Sequence, residues 1–137
     1  MPRTPARIAI DTNLWVSHVF NQFKSHLNVI LEDEDVEIIT SPELTHEIFE
    51  VLSRTKFQSK IPVSVIATFQ ELYDQSTLSV EIVTVVSDCR DPKDNHLLSL
   101  TIDGDLDYLL TGDADLLILD PYGKTRVLKI ADYVTKE

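Results

Sequence analysis

Arg7-Ile8-Ala9-Ile10 is a short apolar run that ends on an acid, Asp11, and Asp107-Tyr108-Leu109-Leu110-Thr111 repeats the arrangement far down the chain, with Asp113 close behind. Neither run alternates apolar with polar residues, which is the mark of a strand covered on both faces, as in a parallel sheet. Val36-Glu37-Ile38-Ile39-Thr40, Glu81-Ile82-Val83-Thr84-Val85 and Thr125-Arg126-Val127-Leu128 add three segments of strand length and β-branched character, the last suited to an edge. Helical patterns fill the intervals at 14–23, 26–31, 42–53, 62–75 and 92–102, with a short turn at 114–119. Strands alternating with helices predict an α/β fold. Right-handed crossovers then build a mostly parallel five-stranded sheet with helices on both faces, a three-layer α/β/α sandwich.

A chain of 137 residues is the size of one domain, burying about two-thirds of its unfolded surface, and residues 1–137 are read as a single domain without repeat or linker. With 43% hydrophobic and 26% charged residues, 3 Gly and 6 Pro, the composition excludes a collagen-like or disordered chain. No apolar run approaches the roughly 20 residues that span a bilayer, and Met1-Pro2-Arg3-Thr4-Pro5-Ala6-Arg7 lacks the apolar core of a secretory signal. A cytoplasmic protein without a membrane partner is expected. The single Cys89 allows neither an internal disulfide nor a paired-Cys zinc site.

The formal net charge of -11 would repel a polyanion from most of the surface, so a nucleic-acid ligand needs local help. The charge is uneven: nine Asp lie between Asp88 and Asp120, against Arg90 and Lys93 alone. Ligand sites in open parallel sheets gather at the carboxyl ends of strands, and Asp11, Asp113, Asp91 and Asp94 all follow strand segments. Each also reads as a helix cap; Asp91-Pro92 has the form of an N-cap with proline at the first helical position, Asp94 completing a capping box.

Helix phase separates the two readings further. In 42–53 the apolar stripe is Leu44, Ile48, Val51 and Leu52, and Glu47 lies about 40° from Val51, at the border of the core. Asp94 lies on the inward face defined by Leu97, Leu98 and Thr101. An inward acid needs a partner, and no nearby Lys or Arg supplies one for Asp11, Glu47, Asp94 or Asp113. Two carboxylates about 6 Å apart repel by roughly 3 kcal/mol at an effective dielectric near 20, so a cluster of them calls for protons or a cation. An all-oxygen set favours Mg²⁺ or Mn²⁺ over zinc. The four histidines, His18, His26, His46 and His96, are expected at the surface or its border, and no zinc-hydrolase spacing occurs among them. Trp15 is expected in the core or an interface.

Taken in order, Asp11-Thr12-Asn13, Ser41-Pro42-Glu43-Leu44-Thr45-His46-Glu47 with Val51-Leu52-Ser53-Arg54, Asp91-Pro92-Lys93-Asp94-Asn95 and Thr111-Gly112-Asp113-Ala114-Asp115 resemble the PIN domain family of metal-dependent ribonucleases. The resemblance implies a sheet of order 3-2-1-4-5 and an acidic quartet of Asp11, Glu47, Asp94 and Asp113 as catalytic residues holding one or two Mg²⁺ or Mn²⁺ ions. It makes Asp91 and Asp115 accessory acids, and Asn13 and Ser41 their polar companions. It implies RNA hydrolysis leaving a 5′-phosphate and a 3′-hydroxyl. The branch it resembles comprises toxins of prokaryotic toxin–antitoxin pairs, which implies a cognate antitoxin protein and self-association as a homodimer. Asp103-Gly104-Asp105-Leu106-Asp107 departs from the small apolar residues of that branch and is expected to add negative charge near the site.

Arg54, Lys56 and Lys60, with Phe57 among them, form the one basic cluster and are candidates to hold RNA; the alternative is a solvated helix end. Two other acidic-pocket enzymes and modules fit poorly. An Asp-nucleophile phosphatase wants an acid two residues after the first, where Asn13 stands, and a receiver domain wants paired acids where Asp11 stands alone. A PIN fold without catalysis, binding RNA or protein, is the alternative function.

Overall fold

A computed structural model describes residues 5–54 and 59–136. Its strands are β1 (Ala6–Ile10), β2 (Val36–Thr40), β3 (Thr77–Ser79), β4 (Tyr108–Leu110) and β5 (Arg126–Leu128). The helices are α1 (Thr12–Phe20), α2 (Leu27–Leu31), α3 (Pro42–Leu52), α4 (Val63–Ser76), α5 (Asn95–Asp103), α6 (Ala114–Leu117) and α7 (Ile130–Lys136), with a 3₁₀ turn at Pro92–Asp94 leading into α5. The strands form one sheet of order β3-β2-β1-β4-β5. All neighbours run parallel, Ile8 aligning with Ile38 on one side and Tyr108 on the other. Ile8, Ala9 and Ile10 are each 0% exposed. Successive strand residues face opposite ways, so β1 is covered on both sides, as its unbroken apolar run predicts.

This order puts a topological switch beside β1: the chain proceeds outward through β2 and β3, then returns to place β4 on the other flank. The crevice outside the carboxyl ends of β1 and β4 is where such sheets bind ligands. An aromatic cluster fastens the helices next to it. Trp15 of α1 meets Tyr73 of α4 edge-on at 5.1 Å, and Phe49 of α3 packs on Phe69 at 5.6 Å. Trp15 is therefore core. The Tyr73 hydroxyl is satisfied by Thr45 Oγ1 at 2.9 Å and by Thr40 Oγ1.

Several expectations change. The third strand is Thr77–Ser79, not 81–85: α4 runs to Ser76, the chain pairs with β2 at once, and Val80 N donates to Thr40 O at 2.8 Å. Residues 81–85 follow with alternating exposure but no ladder, and the Asp103 carboxylate accepts from Val83 N at 2.8 Å and Thr84 N at 2.9 Å instead. The 92–102 helix begins as a 3₁₀ turn, and α7, absent from the pattern reading, docks Tyr133 against Tyr108 at 4.9 Å. Gly112 has an ordinary φ, so no tight turn depends on it. His18 is buried, its Nδ1 2.6 Å from Ser25 Oγ.

The acids of 103–107 do not crowd the cleft. They precede β4, whereas Asp113 follows it, and they fasten the opposite end of the sheet: Arg7 N donates to Asp107 Oδ2 at 2.9 Å, and Lys124 Nζ lies 2.6 Å from Asp105 Oδ1.

Candidate functional site

Asp11 is placed by β1 itself, whose ladder continues through Asp11 N to Leu110 O at 3.0 Å. Its side chain then caps α1, Oδ1 accepting from Thr12 N at 2.7 Å, while Oδ2 accepts from Thr111 Oγ1 at 2.7 Å. The same hydroxyl oxygen accepts from Asp113 N at 3.0 Å. Thr111 thus ties the ends of β1 and β4 together and sets the two acids side by side. Asp113 in turn caps α6 through Asp115 N at 2.9 Å.

Capping therefore accounts for the conformation of Asp11, Asp113 and also Asp91, which accepts from Lys93 N at 3.3 Å. It does not account for Asp94. That carboxyl makes no cap bond, against the capping box expected of it, and it is 7% exposed. Burial, with the neighbouring Asp113 carboxyl and the charges of Asp11, Asp113 and Asp91, pushes it up to about 7. Burial also raises Asp11, against the opposing pull of its Thr111 and Thr12 hydrogen bonds.

Glu47 arrives from α3 across the crevice. Thr12 Oγ1 donates to its Oε1, and His96 Nε2 lies 3.5 Å from its Oε2. The His96 contact is the main reason the Glu47 carboxyl sits below its ordinary range, burial opposing. So Glu47 has a partner after all, an imidazole and not a Lys or Arg.

Asp11, Glu47, Asp94 and Asp113 line one cleft of about 330 Å³, with Thr12, Asn13, Glu50, Asp91, Arg54 and Lys93 on its walls. The other expected members lie outside it. Ser41 is fully buried beneath α3 as its N-cap, accepting from Leu44 N at 3.0 Å, and Asp115 is half-buried, 3.9 Å from Arg90. Of the basic cluster, Arg54 reaches the cleft while bonded to Glu50 at 3.1 Å, Lys60 is exposed elsewhere, and Lys56 falls outside the described residues. Thr12, Thr111, His96 and Lys93 are the members that pattern reading does not single out. Thr12 follows Asp11 directly and Thr111 stands two residues before Asp113, and that closeness in sequence is the available signal.

Three acids from different elements, without a Lys or Arg ion pair to Asp11, Asp94 or Asp113 among the described residues, are held together at the switch point of the sheet. The PIN domain family profile matches residues 7–115, which include every one of them. The chain belongs to the PIN domain family. PIN domains are generally nucleases that use divalent metal ions. In three dimensions this PIN domain is similar to PAE2754 from Pyrobaculum aerophilum, at a TM-score of 0.63 and 11% identity over 96% of this chain and 89% of that one, a likeness of fold. No curated protein matches it in sequence.

The donor set fits a hard divalent cation: oxygen atoms only at the centre, and an acid raised to about 7 by burial and then by neighbouring like charges, which an ion would relieve. As the side chains stand, no three of the described His, Cys, Asp and Glu residues are close enough together to hold an ion, so ligation requires them to close in.

Proposed function

We propose that this PIN domain is an Mg²⁺- or Mn²⁺-dependent endoribonuclease hydrolysing RNA phosphodiester bonds. The observation that carries the reading is Asp94, a buried acid whose carboxyl makes no cap bond, lining one cleft with Asp11, Glu47 and Asp113 at the carboxyl end of the sheet. Asp11 and Asp94 would hold the primary ion, and Glu47 and Asp113 would complete its coordination or position water. The metal, when bound, lowers the pKa of a water molecule and neutralises charge on the scissile phosphate. Thr111 keeps Asp11 aimed into the cleft, and Arg54 and Lys93 at its walls are placed to meet flanking phosphates of a single strand. Asn13, exposed at the cleft wall, is placed to hydrogen-bond the substrate.

Purified Asp11→Asn and Asp94→Asn proteins should lose Mn²⁺-dependent cleavage of a labelled single-stranded RNA by about a hundredfold or more, the scale of removing one preorganised partner of transition-state charge. Full activity in either variant refutes the assignment. A second reading, a PIN fold that binds without cutting, is favoured by the lack of a ready-made three-residue ion site among the described residues. Wild-type protein that binds RNA and never cleaves it, at any Mg²⁺ or Mn²⁺ concentration, would select it.

The net charge of -11 suits a basic partner, and the toxin role is proposed with it: an antitoxin segment whose Arg or Lys enters the carboxylate cleft. Gel filtration with the product of the adjacent reading frame should give a complex, and would also reveal a homodimer. Two independent peaks would count against the pairing.

A further inference from the structure

Glu47 differs from the other three acids in how it reaches the cleft. Asp11, Asp94 and Asp113 stand on short stems at strand and helix ends, where backbone geometry fixes them. Glu47 projects from the middle of α3 on a longer stem with an extra rotatable bond, so its direction must be set by whatever grips its carboxylate. The grip has two sides: Thr12 Oγ1 donates to Oε1, and His96 Nε2 stands 3.5 Å from Oε2.

His96 lies in the first turn of α5 with its side chain 17% exposed, and its Nδ1 is buried without a hydrogen-bond partner among the described residues. Buried polar atoms nearly always have partners. Among the described residues the ring's one polar contact is at Nε2, 3.5 Å from the Glu47 carboxylate. A histidine that served as a helix clamp or a core filler would have no reason to turn that edge across the crevice toward another element's carboxylate.

We infer that His96 is a positioning residue that holds the Glu47 carboxylate facing the cleft, so that Glu47 can join Asp11, Asp94 and Asp113 around a divalent cation. This rests on the metal-dependent reading above. His96 touches neither ion nor RNA. It acts through Glu47, bridging α3 and α5 in the way that residues behind a ligand fix its orientation.

The bare Nδ1 makes the test sharp, because a glutamine that restores only the N–H at the Nε2 position forfeits nothing. Calorimetric titration of Mn²⁺ into wild type, His96→Ala and His96→Gln should show affinity about tenfold weaker or worse for His96→Ala, in line with loss of a residue behind a metal ligand, and most of it regained in His96→Gln. A second readout needs no metal: the ¹³C resonance of the Glu47 carboxyl in chelator should move in His96→Ala and return in His96→Gln, with the Asp11 carboxyl unmoved. Equal Mn²⁺ affinity in all three proteins, or a folded His96→Gln as weak as His96→Ala, overturns the inference. Wild type that binds no Mn²⁺ refutes the metal reading instead, and the Glu47 resonance then decides whether His96 still holds the carboxylate.

Discussion

The hydroxyl of Thr111 is one atom with two tasks, donating to Asp11 Oδ2 and accepting from Asp113 N, and the residue is fully buried. Thr111→Val keeps the shape and removes both bonds, leaving a buried carboxylate oxygen and a backbone N–H without their partner. The expected cost is about 1–3 kcal/mol of stability, read as a lower Tm, with Mn²⁺ affinity falling as Asp11 loses its aim. A Thr111→Val protein with wild-type Tm and Mn²⁺ affinity would show that the pair of acids is aligned by the strands alone. The acids themselves are legible in the sequence because an inward-facing Asp or Glu without a counter-charge is anomalous in any chain. The threonines are not, since a buried threonine beside a strand end is ordinary and only the coordinates show what its oxygen touches. His96 escapes notice for the same reason: one histidine on a helix pattern carries no record of the element it faces.

At the scale of elements, Thr77–Ser79 and 81–85 show where residue preference stops being informative. Glu81-Ile82-Val83-Thr84-Val85 has the alternation and β-branching of a strand and does lie with alternate residues exposed, Val83 at 74% and Val85 at 93%. The ladder with β2 goes to its neighbour because α4 delivers the chain to the sheet edge at Thr77, a matter of helix length that side-chain pattern does not encode. The polar anchor of 81–85 is Asp103, bonded to Val83 N, Thr84 N and Thr84 Oγ1, and these bonds keep its carboxyl below its ordinary range. Asp103→Ala should therefore speed hydrogen exchange at Val83 and Thr84 while leaving Mn²⁺ affinity unchanged, because Asp103 belongs to the end of α5 away from Asp94. Protection unchanged in that variant would mean the segment is held by Ile82 and Val86 packing on the core. β1 and β4, by contrast, are readable, since two-sided burial demands the apolar residues found at Ile8-Ala9-Ile10 and Leu109-Leu110.

For the whole molecule, sheet order divides the negative charge into two populations with different consequences. Asp105 and Asp107 ahead of β4 pair with Lys124, and Glu37 of β2 pairs with Arg7, whereas the acids at the carboxyl ends of β1 and β4 face one another. The second population burdens the metal-free fold. Asp94 ionises near 7 in the folded chain against an ordinary 3.8, so between those values the folded state keeps a proton that the unfolded state has released. Stability must then fall as pH rises through that window, and the penalty is complete above about 7. Burial of Asp11 acts in the same direction, while Glu47, lowered by His96, stabilises the fold above its ordinary range and loses that contribution only at more acid pH. In chelator, Tm should therefore rise when the pH is lowered from about 7.5 to about 5.5, and Asp94→Asn should flatten that dependence and raise Tm at the upper pH. Mn²⁺ added at that pH should lift the Tm of wild type by binding the folded state alone, and lift Asp94→Asn far less, having neither the charge to relieve nor the ligand to use. A variant that keeps both the wild-type pH slope and the wild-type Mn²⁺ shift would place the destabilising charge somewhere other than this cleft.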